Sequence, residues 1–392
     1  MKRVFVFISF AALIITFDQL PLFADVHLNT AKESIFRSPV YLQNPATDAM
    51  TVMWVTNVPC HSWVEYGTDS LNMQRAQTWV HGIGLANNTQ NRIRLTGLKP
   101  GTRYYYRACS REITLYLPYK KEFGETVSSK IAAFTTFDDR NTDFTALIFN
   151  DLHDKYPLFD QLYEQVKDVP CDFVIFNGDC IADVQTEDIA VNTISHYSRG
   201  IGADQVPSFY VRGNHETRGA YAPFLWNLLG TIDGRPYGAF SFGDTRFVLL
   251  DCGEDKSDDH QEYSGMNDFT QFRKDQAEFL KKEIASNEFQ SASKRILIHH
   301  IPVYGMPERS FNPCLDYWGD ILANAPFTVC LNAHTHRHAY LPKGADGNNF
   351  PVVIGGGNNE RSATVAILTK QGKQMTLKIL TVKGETVLSL DL

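Results

Sequence analysis

The chain has 392 residues, of which 43% are hydrophobic and 21% charged, values that exclude wholesale disorder, a collagen-like fibre and a multi-span membrane protein. Its net charge of −7 argues against a grip on nucleic acid through a basic face, so no nucleic-acid binding surface is expected. At roughly 100 to 200 residues per domain, this length predicts two domains, each able to bury its own core.

Residues 1–24 read as a secretory signal peptide. Met1-Lys2-Arg3 carries two positive charges, Val4 to Phe17 is apolar, and Leu22-Phe23-Ala24 supplies a small-residue end. The apolar run falls short of the ~20 residues that a bilayer core requires, so no transmembrane anchor is expected in the mature chain, which would be periplasmic or secreted. Export permits disulfides among the cysteines at 60, 109, 171, 180, 252, 314 and 330. An odd number leaves at least one unpaired, and without a CxxC pair of zinc type they read as small buried hydrophobes.

From residue 38 to 137 the sequence predicts an all-β sandwich. Met50 to Thr56 and Ser62 to Tyr66 are β-rich runs, and Arg92 to Leu95 alternates strictly. The turn Leu98-Lys99-Pro100-Gly101-Thr102 leads into Tyr104, placed to form a tyrosine corner. The string Leu98 to Tyr104 resembles the corresponding turn of fibronectin type III domains, which commonly serve as spacers or binding modules. The polar stretch Asp138 to Asp143 reads as a linker.

Residues 143 to 392 change rhythm. Buried-strand runs at 144–149, 173–176, 208–211, 296–298, 327–331 and 350–354 alternate with helical patterns, the clearest over 272–284, and so predict an α/β layered domain. The acidic stretch from Cys252 to Met266 reads as a solvated surface loop.

The telling feature is where polar residues follow these runs. The first ends in Asn150-Asp151-Leu152-His153, the second in Asn177-Gly178-Asp179, and the third in Arg212-Gly213-Asn214-His215-Glu216. Two more end in His299-His300-Ile301-Pro302 and Asn332-Ala333-His334-Thr335-His336. Ligands gather at the carboxyl edge of α/β sheets, so five such ends can converge. Two carboxylates, one amide oxygen and four imidazoles give eight contacts if one carboxylate bridges, which suits two metal ions roughly 3.5 to 4 Å apart. Imidazole mixed with carboxylate favours zinc, iron or manganese over calcium. His299 and His300 are adjacent, and in a strand they would face opposite ways, so alternation admits one of the two without saying which.

These motifs resemble the calcineurin-like metallophosphoesterases over roughly residues 143 to 360, and the β-sandwich in front makes the layout similar to that of the purple acid phosphatases. The resemblance implies a four-layer α/β/β/α domain with a centre of two divalent or trivalent transition-metal ions. It implies that Asp151, His153 and His336 hold the first ion, that Asp179 bridges, and that Asn214, His300 and His334 hold the second. His215 matches the family's catalytic histidine, and Arg212 matches its Arg-Gly-Asn-His string as a phosphate-stabilising group. Arg309 reads as a surface charge, and His338 as either a pocket residue or a bystander. Three departures stand out: His153 replaces a Gly, Ala333 replaces a Gly, and Ala182 stands where the metal-binding tyrosine of purple acid phosphatases would be. The iron–tyrosinate chromophore is therefore expected to be absent.

The function so implied is an exported phosphatase that hydrolyses phosphomonoesters through a metal-bridging hydroxide, acting on a small phosphate ester or a phosphoprotein. A phosphodiesterase or nucleotidase with the same metal site is the alternative, and a non-catalytic surface binding protein the remaining one.

Overall fold

The computed structural model describes residues 35–307 and 310–392, so the signal-peptide segment 1–24 and Arg309 lie outside the described residues. Among the described residues no helix is long and apolar enough to cross a membrane, and no cysteine is disulfide-bonded.

The larger part of the chain is two β-sheets face to face with helices outside both. In the first sheet Phe144–Phe149, Phe173–Asn177 and Ser208–Val211 run parallel, and an antiparallel meander of Thr364–Gln371, Gln374–Thr381 and Thr386–Asp391 extends it from Phe144–Phe149. In the second, Thr245–Leu249, Lys294–Ile298, Val329–Asn332 and Val352–Ile354 are parallel, with antiparallel edges at Gly238–Phe242 and Ala339–Leu341.

Side-chain alternation explains why these strands read as unbroken apolar runs. Phe144, Ala146 and Ile148 point between the sheets, where they meet Phe173, Phe209, Phe247, Ile296 and Leu331. Leu147 and Phe149 point outward, under the helices Tyr156–Glu164 and Glu187–Ile201. On the far side Leu297 and Cys330 pack beneath Phe269–Ile284 and Pro313–Ala323, where Trp318 is fully buried. With both faces covered, most positions in a central strand are apolar until the strand ends.

The amino-terminal part is a β-sandwich cored by Trp54, Val52, Ile93, Tyr106 and Phe134. Two runs expected as separate strands form one, Met50–Gly67, which pairs first with Ala86–Leu95 and then with Arg103–Leu117. The exchange of partners coincides with a register shift between Val55 and Cys60, and Pro59, which cannot donate to a ladder, falls within it. Tyr104 closes the corner: its hydroxyl accepts the Lys99 N–H at 3.0 Å while its ring stacks on Phe134.

The sandwich does not hang from a free linker. The short strand Tyr41–Gln43 pairs antiparallel with Met50–Gly67 on one side and parallel with Ser208–Val211 on the other, so one sheet continues through both parts. Phe137 leaves the sandwich and enters the inter-sheet core, 4.6 Å from the Phe242 ring. The Tyr41 hydroxyl donates to the Leu228 carbonyl at 2.6 Å, and Tyr106 to that of Asp204 at 2.8 Å.

Tyr104→Phe removes the corner hydrogen bond and keeps the ring. A loss of about 1 kcal/mol is expected, measured by denaturant unfolding against wild type. An unchanged midpoint would show that the corner does not contribute to stability.

Candidate metal centre

The loops after the parallel strands continue the pairing of the strands themselves. Asp151 N–H donates to the Gly178 carbonyl at 3.0 Å and His153 N–H to that of Asp179 at 2.9 Å. In the second sheet Ala333 N–H reaches the His300 carbonyl at 2.9 Å. Close approach is possible because Gly178 and Gly213 lack side chains: a Cβ on Gly178 would collide with the His300 ring, and one on Gly213 with the Asp179 carboxylate.

Two groups of ligand atoms result, Asp151, His153, Asp179 and His336 in one, and Asp179, His300 and His334 in the other, with Asp179 common to both. Asn214 joins the second, its Oδ1 2.9 Å from His334 Nδ1. Five of these residues, Asp151, His153, Asp179, His334 and His336, have positive φ. Such conformations cost about 1–3 kcal/mol each and persist where the surroundings over-determine them. Ala333 is not among the positive-φ residues, so its methyl group is accommodated without strain.

The alternation of strand side chains separates the adjacent histidines. His300 turns toward Asp179, with Nε2 3.0 Å from Oδ2, and its Nδ1–H donates to the Asn177 carbonyl at 2.8 Å. That bond leaves Nε2 facing the centre. His299 turns the other way, into a pocket with Cys330 and Asn332 beside Trp318.

The residues fit a pair of cations. Asp151 Oδ1, His153 Nε2 and His300 Nε2 are buried without a hydrogen-bond partner of adequate geometry, yet all face the same space. His153 Nε2 is 3.7 Å from Asp179 Oδ2, and His336 Nε2 is 3.2 Å from Asp151 Oδ1. Buried polar atoms are rarely left unpaired, and a ring of them converging on one point is what bound cations satisfy. Burial alone would lower the pKa of His300, but the charge and proximity of Asp179, helped by Asp151, lift it to about 10. Burial, reinforced by the charge of His300, brings His334 down to about 4, and burial does the same to His299. A positive charge is thus favoured at the point where the carboxylates meet.

Glu216 organises the centre from beneath. Fully buried, it accepts hydrogen bonds from Asp179 N–H, Gly213 N–H and Ile181 N–H, at 2.8, 2.9 and 2.9 Å, and from the Tyr210 hydroxyl at 2.8 Å. Burial and the nearby Asp179 raise its pKa, yet four donors saturate its two oxygens. The motif had marked Glu216 without indicating this role.

His215 stands at the edge of the centre, its ring 4.5 Å from that of His153, and its backbone N–H donates to Asp179 Oδ1 at 2.9 Å. Nδ1 lies 2.5 Å from the Ala182 carbonyl oxygen and Nε2 3.2 Å from an Arg218 nitrogen. Arg212 is engaged elsewhere: its Nε donates to the buried Asp251 at 2.8 Å. His338 bonds through Nδ1 to the Ile354 carbonyl at 2.9 Å.

Sequence reasoning missed Arg218 and its partner Glu254. The stretch from Cys252 to Met266, expected as a solvated loop, contains Glu254 at 1% exposure, hydrogen-bonded to Arg218, Thr217 and the Tyr263 hydroxyl. The loop is tied down because burying that carboxylate requires paired donors. The only signal available was an Arg three residues beyond His215.

A family model described as calcineurin-like phosphoesterase matches residues 144–338, and one described as purple acid phosphatase, N-terminal domain, matches residues 37–136. Among solved structures, purple acid phosphatase PPD1 from yellow lupin (Lupinus luteus) seeds superposes with a TM-score of 0.63 at 15% identity, covering 90% of this chain and 73% of its own. A structure of PhoD gives a TM-score of 0.58 at 12% identity, covering 90% and 88%. At such identities these two likenesses speak for the fold. None of the curated proteins matches the sequence significantly. With the two family matches side by side, the chain belongs to the calcineurin-like phosphoesterases, in the layout that sets a purple acid phosphatase N-terminal domain before the phosphoesterase domain.

Proposed function

We propose that this phosphoesterase is a two-metal phosphatase acting on phosphomonoesters, and that it is exported on the leader read from residues 1–24. The observation that carries the catalytic reading is the convergence of unpaired buried ligand atoms on a space bounded by a shared carboxylate, Asp179. Two cations held by Asp151, His153, His336, Asn214, His300, His334 and the shared Asp179 would supply charge neutralisation and an activated water.

The protein's own residues contribute position and proton control. Asp179 fixes the spacing of the two groups and, through the His215 N–H, the distance of the catalytic imidazole from them. His215 rests with Nδ1–H donated to the Ala182 carbonyl, which leaves Nε2 to face a substrate oxygen and, when protonated, to deliver a proton to the departing alcohol. Glu216 keeps the Asp179 and Asn214 loops in register during turnover.

The purified chain loaded with manganese, iron or zinc is expected to hydrolyse an aryl phosphate monoester faster than the matching diester. His215→Ala should lower kcat by about 10²–10⁴-fold, and Asp179→Asn should abolish turnover together with the binding of one metal. Normal rates in both variants would refute the mechanism, and a faster diester reaction would reassign the substrate class.

Metal should also act on stability. At about a hundredfold excess over its Kd, a bound ion stabilises by about 2.7 kcal/mol, so Tm should rise with metal and fall with a chelator. In Glu216→Gln the amide would present donors to donors, and both the metal-free Tm and the metal-dependent rise should shrink.

With Ala182 where a phenolate would bind, the iron-loaded protein is expected to show no visible tyrosinate charge-transfer band. A purple preparation would mean that another tyrosine reaches the metal.

A further inference from the structure

Two arginines approach the His215 side of the centre, and they differ in what holds them. The Arg212 side chain is 12% exposed and pairs with the fully buried Asp251, while the rings of Trp226, Phe269 and Phe272 each lie 5.7 Å from its Cζ. That guanidinium is neutralised and enclosed by aromatic rings, an arrangement that braces Asp251 and the strand end.

Arg218 is clamped along one edge only. Its Nε and one terminal nitrogen donate to Glu254 at 2.7 and 3.1 Å, and the same terminal nitrogen donates to Asp255 at 3.0 Å. The other terminal nitrogen is left at 3.2 Å from His215 Nε2, the ring atom turned away from Ala182. The side chain is 26% exposed, and this edge is held by a single contact to His215, so it can meet a solute. Lys256 lies 2.8 Å from Asp255 and 3.8 Å from Glu262, so it offsets part of the negative charge beside Arg218. Clamping removes the rotamer freedom that a free arginine would lose on meeting a ligand, and a planar guanidinium matches the spacing of two phosphoryl oxygens.

We propose that Arg218, rather than Arg212, is the guanidinium that grips the phosphoryl oxygens of the substrate, alongside His215. This rests on the phosphatase reading and adds to it the group that selects a doubly charged monoester.

The test uses the full chain loaded with metal. Arg218→Lys keeps the charge and Arg218→Met keeps the stem; each is compared with wild type for kcat, KM, metal content and competitive inhibition by inorganic phosphate. Arg218→Met should lower kcat/KM by about 10²-fold and raise the phosphate inhibition constant by about tenfold, with two metals still bound. Added guanidinium ion at millimolar concentration should restore part of its activity, and Arg218→Lys should fall between. An unchanged phosphate constant in both variants, or a larger rise in Arg212→Lys than in Arg218→Lys, would overturn the assignment. So would a fall in kcat that guanidinium leaves unrelieved while phosphate inhibition stays the same. If the wild-type protein hydrolyses no ester, the phosphatase reading fails by itself. Calorimetric titration of the metal-loaded chains with phosphate then decides: weaker binding to Arg218→Met upholds the Arg218 contact, and equal binding refutes it.

Discussion

The centre depends on one buried carboxylate that touches no substrate. Glu216 gathers N–H groups from the segment that carries Asp179 and from the segment that carries Asn214, and a hydroxyl from Tyr210 on the strand leading to Asn214. Hydrogen bonds to a charged acceptor are worth about 1.5–3 kcal/mol each, whereas burying a carboxylate costs several kcal/mol. The balance is close to even, so the gain is geometric. Two loops that leave neighbouring strands are held at a fixed separation, and Asp179 is carried between both ligand groups.

That separation has to be held against strain. Five residues of the candidate centre adopt positive φ, and neighbouring backbone amides tie several of them to adjacent strands or carboxylates. His334 N–H donates to Asp151 Oδ2, which also accepts from Asn150, while Asn150 reaches across to the Gly356 carbonyl. Aspartate and histidine tolerate this region better than most residues, so the chemistry of the ligands and the conformation of the loops are compatible. The strain is local, and the network that opposes it is distributed over both sheets.

Much of this was legible in the sequence because burial on both faces turns a strand into an apolar run, and its end becomes visible as the first polar residue. Asp151, Asp179, Asn214, His300 and His334 follow such runs within three residues, and the period of two sets His300 and His299 on opposite faces, while the Pro two residues after His300 made the choice between them. The unread parts share a different cause. The pairing of Arg218 with Glu254 spans 36 residues and lies in what composition describes as an acidic loop. Tyr41–Gln43 is three residues long, too short for alternation to register, yet it joins the two parts of the sheet. The continuous strand Met50–Gly67 contains a proline, which locally argues for a break, and only its two different partners keep it whole.

The junction ties the sandwich to the loops beside the candidate centre. Ser208–Val211, the strand that delivers Arg212 to His215, is also the strand with which Tyr41–Gln43 pairs. From the sandwich, Gln90 donates to Glu187 at 2.9 Å and to the Tyr221 hydroxyl at 2.6 Å. Tyr221 N–H in turn donates to the Val184 carbonyl, and Val184 N–H to the carbonyl of Arg218. Ala182, whose carbonyl holds His215, is two residues before Val184. The loops around the His215 imidazole and the Arg218 guanidinium are thus packed between the candidate metal centre on one side and the sandwich on the other. The strand that leads to His215 is anchored through Tyr41–Gln43 to a second hydrophobic core, so local opening of these loops has to disturb contacts on both sides.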